Sequence, residues 1–317
     1  MKLQTKILLK KGDPQIDYQS RILLMGSCFV ENIGEKFGYY QFQNLQNPFG
    51  ILFQPKAIEK IILRVVKDKI YKETDLFFHN ERWKSFDVHS NLWHSEKKQL
   101  LSDLNKRLQH TKKQLQKATH IVLTLGTSWA YRYLKTNELV ANCHKVPQSE
   151  FSKELLSVDE IVQSISNIRA AVRSLNEEAV LLFTISPVRH LKDGFIENQL
   201  SKSRLITALH HSLKAEKEFY FPAYEIMMDE LRDYRFYASD MIHPNETAID
   251  YIWERFIEVW VRADALPIME KVNEIQKGLG HTPFNPSSTE HRNFTKALEQ
   301  KIAYLQNAYP FMEFGQK

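Results

Sequence analysis

The sequence predicts an α/β protein built on a parallel sheet that has helices on both faces. Short apolar runs of strand length alternate along the chain with longer segments whose apolar residues recur every three or four positions. The apolar runs are continuous, which is typical of strands buried on both faces. Strands that alternate with long helices in this way indicate βαβ units and a layered α/β architecture.

Four apolar runs predict the strands of this sheet. Each is short, and the first two stop at a glycine, where a turn can begin. The runs cover residues 22–25, 120–125, 179–185 and 218–221. Outside them, residues 3–7 alternate between apolar and polar types and predict an edge strand. Residues 77–86 predict a hairpin around Asn80-Glu81, and residues 44–55 predict a structured loop with two prolines.

Segments whose apolar residues have helical spacing fill the intervals between these runs. No internal repeat or low-complexity linker interrupts the chain, so the simplest organisation is one domain with a helical appendage. The predicted helices cover about 32–40, 55–69, 95–119, 158–175, 201–215 and 246–262, followed by a tail that is helical from 267, breaks at 278–288 and ends in a last helix at 308.

Composition is that of an ordinary globular protein and excludes several functional classes. The formal net charge is only +5, from 43 Lys+Arg against 38 Asp+Glu, and the charges are interspersed. This favours solubility over a nucleic-acid partner. No apolar run approaches membrane-spanning length, and the amino terminus lacks the apolar core of a signal peptide. Because the two cysteines, Cys28 and Cys143, also suit a reducing compartment, we expect a cytoplasmic protein.

Gly26-Ser27 is the stretch that most strongly suggests chemistry. It ends the first apolar run and precedes a helical segment. A strand that turns directly into a helix presents the serine hydroxyl at the carboxyl edge of the sheet, where open α/β sheets bind their ligands. We interpret Ser27 as a nucleophile. On these residues alone, Ser27 can equally be a helix cap. Cys28 is a second candidate nucleophile, although a cysteine here more often packs as a small apolar group.

A serine nucleophile needs a base, a group that orients the base, and donors for the oxyanion. Asp240 and His243 lie in one polar loop after the last predicted strand, and their D-x-x-H spacing lets the carboxylate approach the imidazole. The same pair can instead be a helix cap with a satisfied histidine. Loops after other strands carry the candidate donors, which are Asn47, Gly50, Gly126, Thr127, Ser128 and Asn142.

Three further polar residues are candidates for substrate binding. His89 either lines the pocket or caps the hairpin, and Arg189 either binds an anionic group of the substrate or pairs with a neighbouring helix. His144, next to Cys143, suggests a metal pair, but two adjacent residues without a partner cysteine pair are a weak metal signal. We therefore expect neither a metal nor another cofactor.

Six ordered blocks resemble the GSCFA-domain family, which is grouped with the SGNH/GDSL hydrolases. They are residues 26–31 (GSCFVE), 47–51 (NPFGI), 125–127 (LGT), 142–145 (NCHK), 186–189 (SPVR) and 220–225 (YFPAYE). The resemblance runs from about residue 20 to 260, and Val30 replaces the alanine of the family name. It implies a flavodoxin-like three-layer α/β/α sandwich with a mostly parallel sheet over residues 1–265. Residues 266–317 are then a helical extension packed on the same domain.

The resemblance also implies roles for individual residues. In the SGNH pattern, Ser27 is the nucleophile and its own N–H is an oxyanion donor. His243 is the general base, Asp240 orients it, and Gly50 supplies another backbone donor.

The third block departs from that pattern. SGNH enzymes have Gly-x-Asn where this chain has Gly126-Thr127-Ser128. A serine hydroxyl is shorter and is easily lost to a local backbone bond. Asn142, in a polar cluster beyond this block, is our candidate substitute.

Two functions follow from the sequence. The first is a serine esterase or acyl hydrolase of SGNH/GDSL type. It would cleave or transfer a short acyl group such as acetyl, through a Ser27 acyl-enzyme, from a small-molecule or carbohydrate ester. The second is a non-catalytic module that binds carbohydrate or another ligand on the same fold, an alternative that the altered third block leaves open. The sequence indicates no particular oligomeric state.

Overall fold

Ten strands and nine α-helices lie within residues 4–213 and 215–315, the ranges that the computed structural model describes. The strands are β1 (Arg21–Gly26), β2 (Gln43–Gln46), β3 (Phe77–His79), β4 (Arg82–Lys84), β5 (His120–Leu125), β6 (Trp129–Tyr133), β7 (Glu138–Val140), β8 (Phe151–Leu155), β9 (Val180–Ile185) and β10 (Glu218–Phe221). The helices are α1 (Cys28–Tyr39), α2 (Pro55–Val66), α3 (Lys97–Lys117), α4 (Val158–Leu175), α5 (Phe195–Ser212), α6 (Ala223–Glu225), α7 (Glu246–Trp260), α8 (Leu266–Leu279) and α9 (Thr289–Ala308).

The central sheet has five strands in the order β2-β1-β5-β9-β10, and every neighbouring pair is parallel. Counted along the chain, this is the 2-1-3-4-5 order of flavodoxin-like folds. The connections from β1 and β5 leave in opposite directions, so the topological switch point lies between these two strands. The structure therefore confirms the predicted parallel α/β sheet, and it puts the end of β1 where such sheets bind ligands.

Two apolar cores, one on each face of the sheet, complete the three layers. Alternate side chains of a strand face opposite sides. Leu23 and Met25 of β1 accordingly join the core formed with α2, α3, α4 and α5. Ile22 and Leu24 join the core formed with α1, α7, α8 and Leu305 of α9. No helix in the described part of the chain is both long and apolar enough to cross a membrane.

The hairpin and most predicted helices agree with the structure. Strands β3 and β4 pair antiparallel around Asn80 and Glu81, whose φ values of 50° and 57° match the tight turn that such hairpins prefer. Helix α5, however, begins at Phe195, six residues before the expected start at residue 201.

Two predictions about strands were wrong, and one sheet was missed. Residues 4–12 form no strand, and Leu3 lies outside the described residues. The N–H groups of Gly12 and Ile16 donate to Val259 O and Trp260 O at the end of α7, and Ile16 forms an isolated bridge with Val261. The expected loop 44–55 contributes most of β2, which pairs with β1. A separate antiparallel sheet, β7-β6-β8, was not predicted.

Candidate active site

The turn after β1 depends on Gly26. Its φ is +148°, and a Cβ there would overlap the carbonyl oxygen of Thr124 on β5. Only glycine fits this backbone without strain. Ser27 follows as the cap of α1, accepting the amide N–H of Phe29 at 3.3 Å, while its own N–H donates to Thr124 O at 3.1 Å. The capping role and the edge position are therefore both present at Ser27.

Ser27 and His243 line one cavity of about 340 Å³ at the carboxyl edge of the sheet. The Ser27 side chain is fully buried and His243 is about half exposed, so the serine lies deeper than the histidine. No hydrogen bond joins the two side chains, both of which belong to the described ranges. The remaining lining residues are Cys28, Ile51, Phe53, His89, Val188, Arg189, His190, Leu191, Lys192 and Ile242.

Asp240 and His243 form the pair that their spacing predicts. The Nδ1–H of His243 donates to Asp240 Oδ2 at 2.7 Å, which leaves Nε2 as the free acceptor. Asp240 Oδ1 accepts the amide N–H groups of Ile242 at 2.9 Å and of His243 at 3.0 Å. These hydrogen bonds lower the pKa of Asp240 to about 2, and the bond from the His243 ring has the largest effect. The carboxylate is thus ionised at neutral pH and fixes the tautomer of the imidazole.

Arg189 holds the loop that carries this pair. Its backbone N–H donates to Ile242 O at 3.1 Å, and its guanidinium donates to Met241 O. The guanidinium also lies 4.1 Å from the ring centre of Tyr237. Among the described residues Arg189 has no carboxylate partner, so its charge adjoins the cavity without an ion pair.

The second block supports the turn and the cavity from one side. Asn47 accepts the N–H of Gly26 on its Oδ1 at 2.9 Å and so lies behind the cavity. Gly50, at φ +72°, packs against the Cβ of His89 and thereby brings His89 to the cavity wall. The Gly50 N–H, expected as an oxyanion donor, donates to Asn47 O at 2.8 Å within a turn.

The third block faces helix α5 and does not line the cavity. Thr127 Oγ1 and Ser201 Oγ are 2.8 Å apart, and Ser128 donates from its N–H to Ser201 Oγ at 2.8 Å and from its hydroxyl to Ser201 O at 3.1 Å. The carbonyl oxygen of Gly126 accepts Lys202 Nζ at 2.7 Å. The block therefore anchors α5 to the end of β5.

Asn142 and His144 also lie apart from the cavity. The Oδ1 of Asn142 accepts the N–H of His144 at 2.8 Å, which forms a local turn. His144 is 1% exposed, and its Nε2–H donates to Ser85 O at 2.7 Å and Val88 O at 3.1 Å. Burial lowers the pKa of His144 to about 4. It is thus a neutral histidine packed beneath the β3–β4 hairpin.

Two residues of this region were missed as site candidates. His190 lines the cavity, and Lys202 lies fully buried at the third block. Burial lowers the pKa of Lys202 to about 7, and nearby Cys28 opposes that change. The available signal was spacing, because Lys202 precedes Leu205 and Leu209 by three and seven positions and so shares their buried helix face.

Comparison with known proteins identifies the family. The model of the GSCFA family matches residues 21–256, and that of the GSCFA domain protein C-terminal domain matches residues 272–317. No curated protein gives a match.

Three solved structures are similar at low levels. The chain resembles an acetyl xylan esterase (Est2A) from the rumen bacterium Butyrivibrio proteoclasticus at 8% identity and a TM-score of 0.42, over 76% of this chain and 63% of that one. A carbohydrate esterase family 3 protein from Talaromyces cellulolyticus has 7% identity and a TM-score of 0.34, over 80% and 99% of the chains. An acetyl esterase mutant with acetate ion has 8% identity and a TM-score of 0.35, over 80% of this chain and 99% of that one. Because the family model covers most of the sequence, this chain belongs to the GSCFA family.

Proposed function

We propose that this chain is a serine hydrolase of the SGNH/GDSL type that cleaves or transfers a short acyl group from an ester. One observation carries the proposal: Ser27, at the switch point of the sheet, shares a cavity with His243, which Asp240 orients through a 2.7 Å bond. A hydroxyl, an imidazole and a carboxylate in this relation are the parts of a serine triad, which is recognised by geometry and roles.

The reaction proceeds through a Ser27 ester. The Nε2 of His243 takes the proton of Ser27 Oγ as the oxygen attacks the acyl carbonyl carbon. The tetrahedral intermediate then expels the alcohol, which takes this proton from His243 as the carbon–oxygen bond of the substrate breaks. Water or another hydroxyl attacks the acyl-Ser27 with His243 again acting as base, which releases the acyl product and the free serine. The Asp240 carboxylate stabilises the imidazolium at each stage.

The position of Ser27 at the start of α1 suits this role. Its Oγ accepts a bond from Phe29 N–H, so its own hydrogen remains available for His243. The amino-terminal end of a helix also favours negative charge. Both effects stabilise an oxygen that is losing its proton.

The size of the cavity favours a small acyl group. Its volume of about 340 Å³ is near the lower end of ligand pockets, which span about 300–1,000 Å³. The wall combines apolar Ile51, Phe53 and Val188 with the polar His89 and Lys192. An acetyl group on a small alcohol or a sugar hydroxyl fits this combination.

A fluorophosphonate probe and a short acyl ester together test the proposal. The wild-type protein should be labelled at Ser27 and should hydrolyse p-nitrophenyl acetate. Ser27→Ala and His243→Ala should lose both activities, whereas Ser90→Ala, at an exposed serine outside the cavity, should keep them. If the folded wild-type protein neither reacts nor turns over, the hydrolase proposal is wrong and the ligand-binding alternative replaces it.

A further inference from the structure

Most of the expected oxyanion donors are engaged in other bonds in this structure. Asn47 Nδ2 has no partner among the described residues, but Asn47 does not line the cavity. The N–H groups of Ser27 and Gly50 donate to backbone carbonyls, and the Ser128 hydroxyl donates to helix α5. Asn142 lies outside the cavity lining. An ester hydrolase nevertheless needs at least one donor directed at the place where negative charge develops.

His190 has a ring nitrogen without a hydrogen-bond partner among the described residues. The residue lines the cavity together with Ser27 and His243. Its Nε2 is buried and has no hydrogen-bond partner within the described residues. Buried polar atoms are rarely left unpaired in folded proteins, so a lone imidazole nitrogen at a cavity suggests a partner that arrives with the ligand.

The strand register brings this nitrogen near the nucleophile. Gly26 pairs with Thr124, and the N–H of Ser27 donates to Thr124 O at 3.1 Å, so Ser27 lies beside the end of β5, two residues before Gly126. A Cβ on Gly126 would lie only 3.0 Å from His190 Nε2. The imidazole thus covers Gly126, beside the end of β1.

The ring is held in this position by two contacts. It packs against Phe53 with the ring planes tilted by 33° and the ring centres 5.4 Å apart, and the backbone N–H of His190 donates to Asn198 Oδ1 at 2.9 Å. Burial, followed by the charges of Lys202 and His243, lowers the pKa of His190 to about 3. The ring is therefore neutral at physiological pH, and in the tautomer protonated at Nε2 it offers one fixed N–H.

We propose that the Nε2–H of His190 is the side-chain donor to the oxyanion, in the place that the third-block asparagine occupies in SGNH enzymes. The inference rests on the proposed function, since it names a residue of the same reaction. The donor stabilises the tetrahedral intermediate and takes no proton itself. His190 is then a catalytic residue with a purely electrostatic role.

Two substitutions separate this role from a structural one. His190→Phe keeps a ring to pack against Phe53 but removes the N–H, whereas His190→Gln keeps an N–H donor on a side chain of similar reach. On p-nitrophenyl acetate, we expect His190→Phe to lower kcat about 10²- to 10³-fold with KM changed by less than about threefold, as for the loss of one oxyanion donor. His190→Gln should recover at least about tenfold of that loss. His110→Ala, an exposed histidine on α3, is the control and should match the wild type.

The outcomes also separate this inference from the proposed function. If the wild type turns over and Ser27 is labelled, but His190→Phe keeps its kcat, the inference alone is overturned. The inference is also overturned if His190→Gln recovers no activity, or if His190→Phe raises KM and leaves kcat unchanged. The same holds if Asn142→Ala abolishes kcat while His190→Phe does not. If the wild type neither turns over nor labels, both proposals fail together. Thermal unfolding of each variant reports whether its fold is intact.

Discussion

Lys202 donates a hydrogen bond from Nζ to the carbonyl oxygen of Gly126 at 2.7 Å, from a side chain that is completely buried. The same nitrogen donates to Ser186 O at 2.7 Å. The two carbonyls belong to residues that directly follow β5 and β9, so one side chain of α5 joins the carboxyl ends of two neighbouring strands. This is the edge at which the cavity opens.

Replacing Lys202 by methionine should destabilise the fold. Methionine fills a similar volume but leaves two buried carbonyls without their donor, while it removes the desolvation cost of the amine. We expect a net loss of about 1–3 kcal/mol in the free energy of unfolding, measured by urea titration. Lys217→Met, which removes an exposed pair with Glu178, should change it by less than about 0.5 kcal/mol. Equal losses in the two variants would contradict a specific role for the buried bonds.

Two glycines, one in the turn after β1 and one in the last turn of α1, give a matched pair of substitutions. Gly26→Ala introduces a Cβ that overlaps Thr124 O at a φ of +148°, so we expect a loss of about 3 kcal/mol in stability. Gly38→Ala, in α1, meets no heavy atom within 4 Å and should stabilise by about 0.5–1 kcal/mol. Calorimetric unfolding of both variants checks the contrast. A Gly26→Ala protein as stable as the wild type would show that the turn tolerates a side chain.

The sequence predicts well those elements whose burial is evident from a short stretch of neighbouring residues. The continuous apolar runs of β1, β5 and β9 are buried on both faces, and the order of strands and helices allows few other arrangements. The Asp240–His243 contact is also local, because a three-residue spacing closes the bond within one loop. Such features need no knowledge of distant contacts.

The features that escaped prediction depend on partners far along the chain. Strand β2 reads Gln-Asn-Leu-Gln and is only half-buried, so it lacks an apolar run. Ser128 looked available for an oxyanion, yet its donors bind Ser201, 73 residues away. The sequence contains these groups but not their pairing. Only the packed structure shows which polar groups are already satisfied and which, like His190 Nε2, are not.

Substitution of Arg189 distinguishes a positioning role from a substrate-binding role for this cationic residue at the cavity. Its bonds to Met241 and Ile242 indicate that it positions the loop of His243. Arg189→Met should then lower kcat on the neutral ester p-nitrophenyl acetate by about tenfold or more, because the base is misplaced. If Arg189 instead binds an anionic group of the substrate, the neutral ester should be unaffected and only anionic esters should lose rate. Steady-state kinetics on both kinds of ester decides between them.

His144 should make the stability of the protein depend on pH. Its Nε2–H is satisfied by two carbonyls, whereas Nδ1 is buried without a partner in the described residues, so a proton there would be an uncompensated charge. Burial lowers its pKa from 6.5 to about 4. Between these values the unfolded chain binds a proton that the folded protein does not. The contribution of neutral His144 to the free energy of unfolding is therefore complete above pH 6.5 and is lost as the pH falls towards 4.

The comparison with His144→Gln isolates this contribution. Glutamine can still donate to a carbonyl but does not titrate, so the stability of the wild type relative to the variant should fall by up to about 3 kcal/mol between pH 7 and pH 4. Urea unfolding at half-unit intervals of pH measures the difference, and groups common to both proteins cancel. His110→Gln is the control for loss of an exposed histidine. A difference for His144→Gln that stays constant across this range would mean that the folded protein accommodates the protonated ring, against the burial seen here.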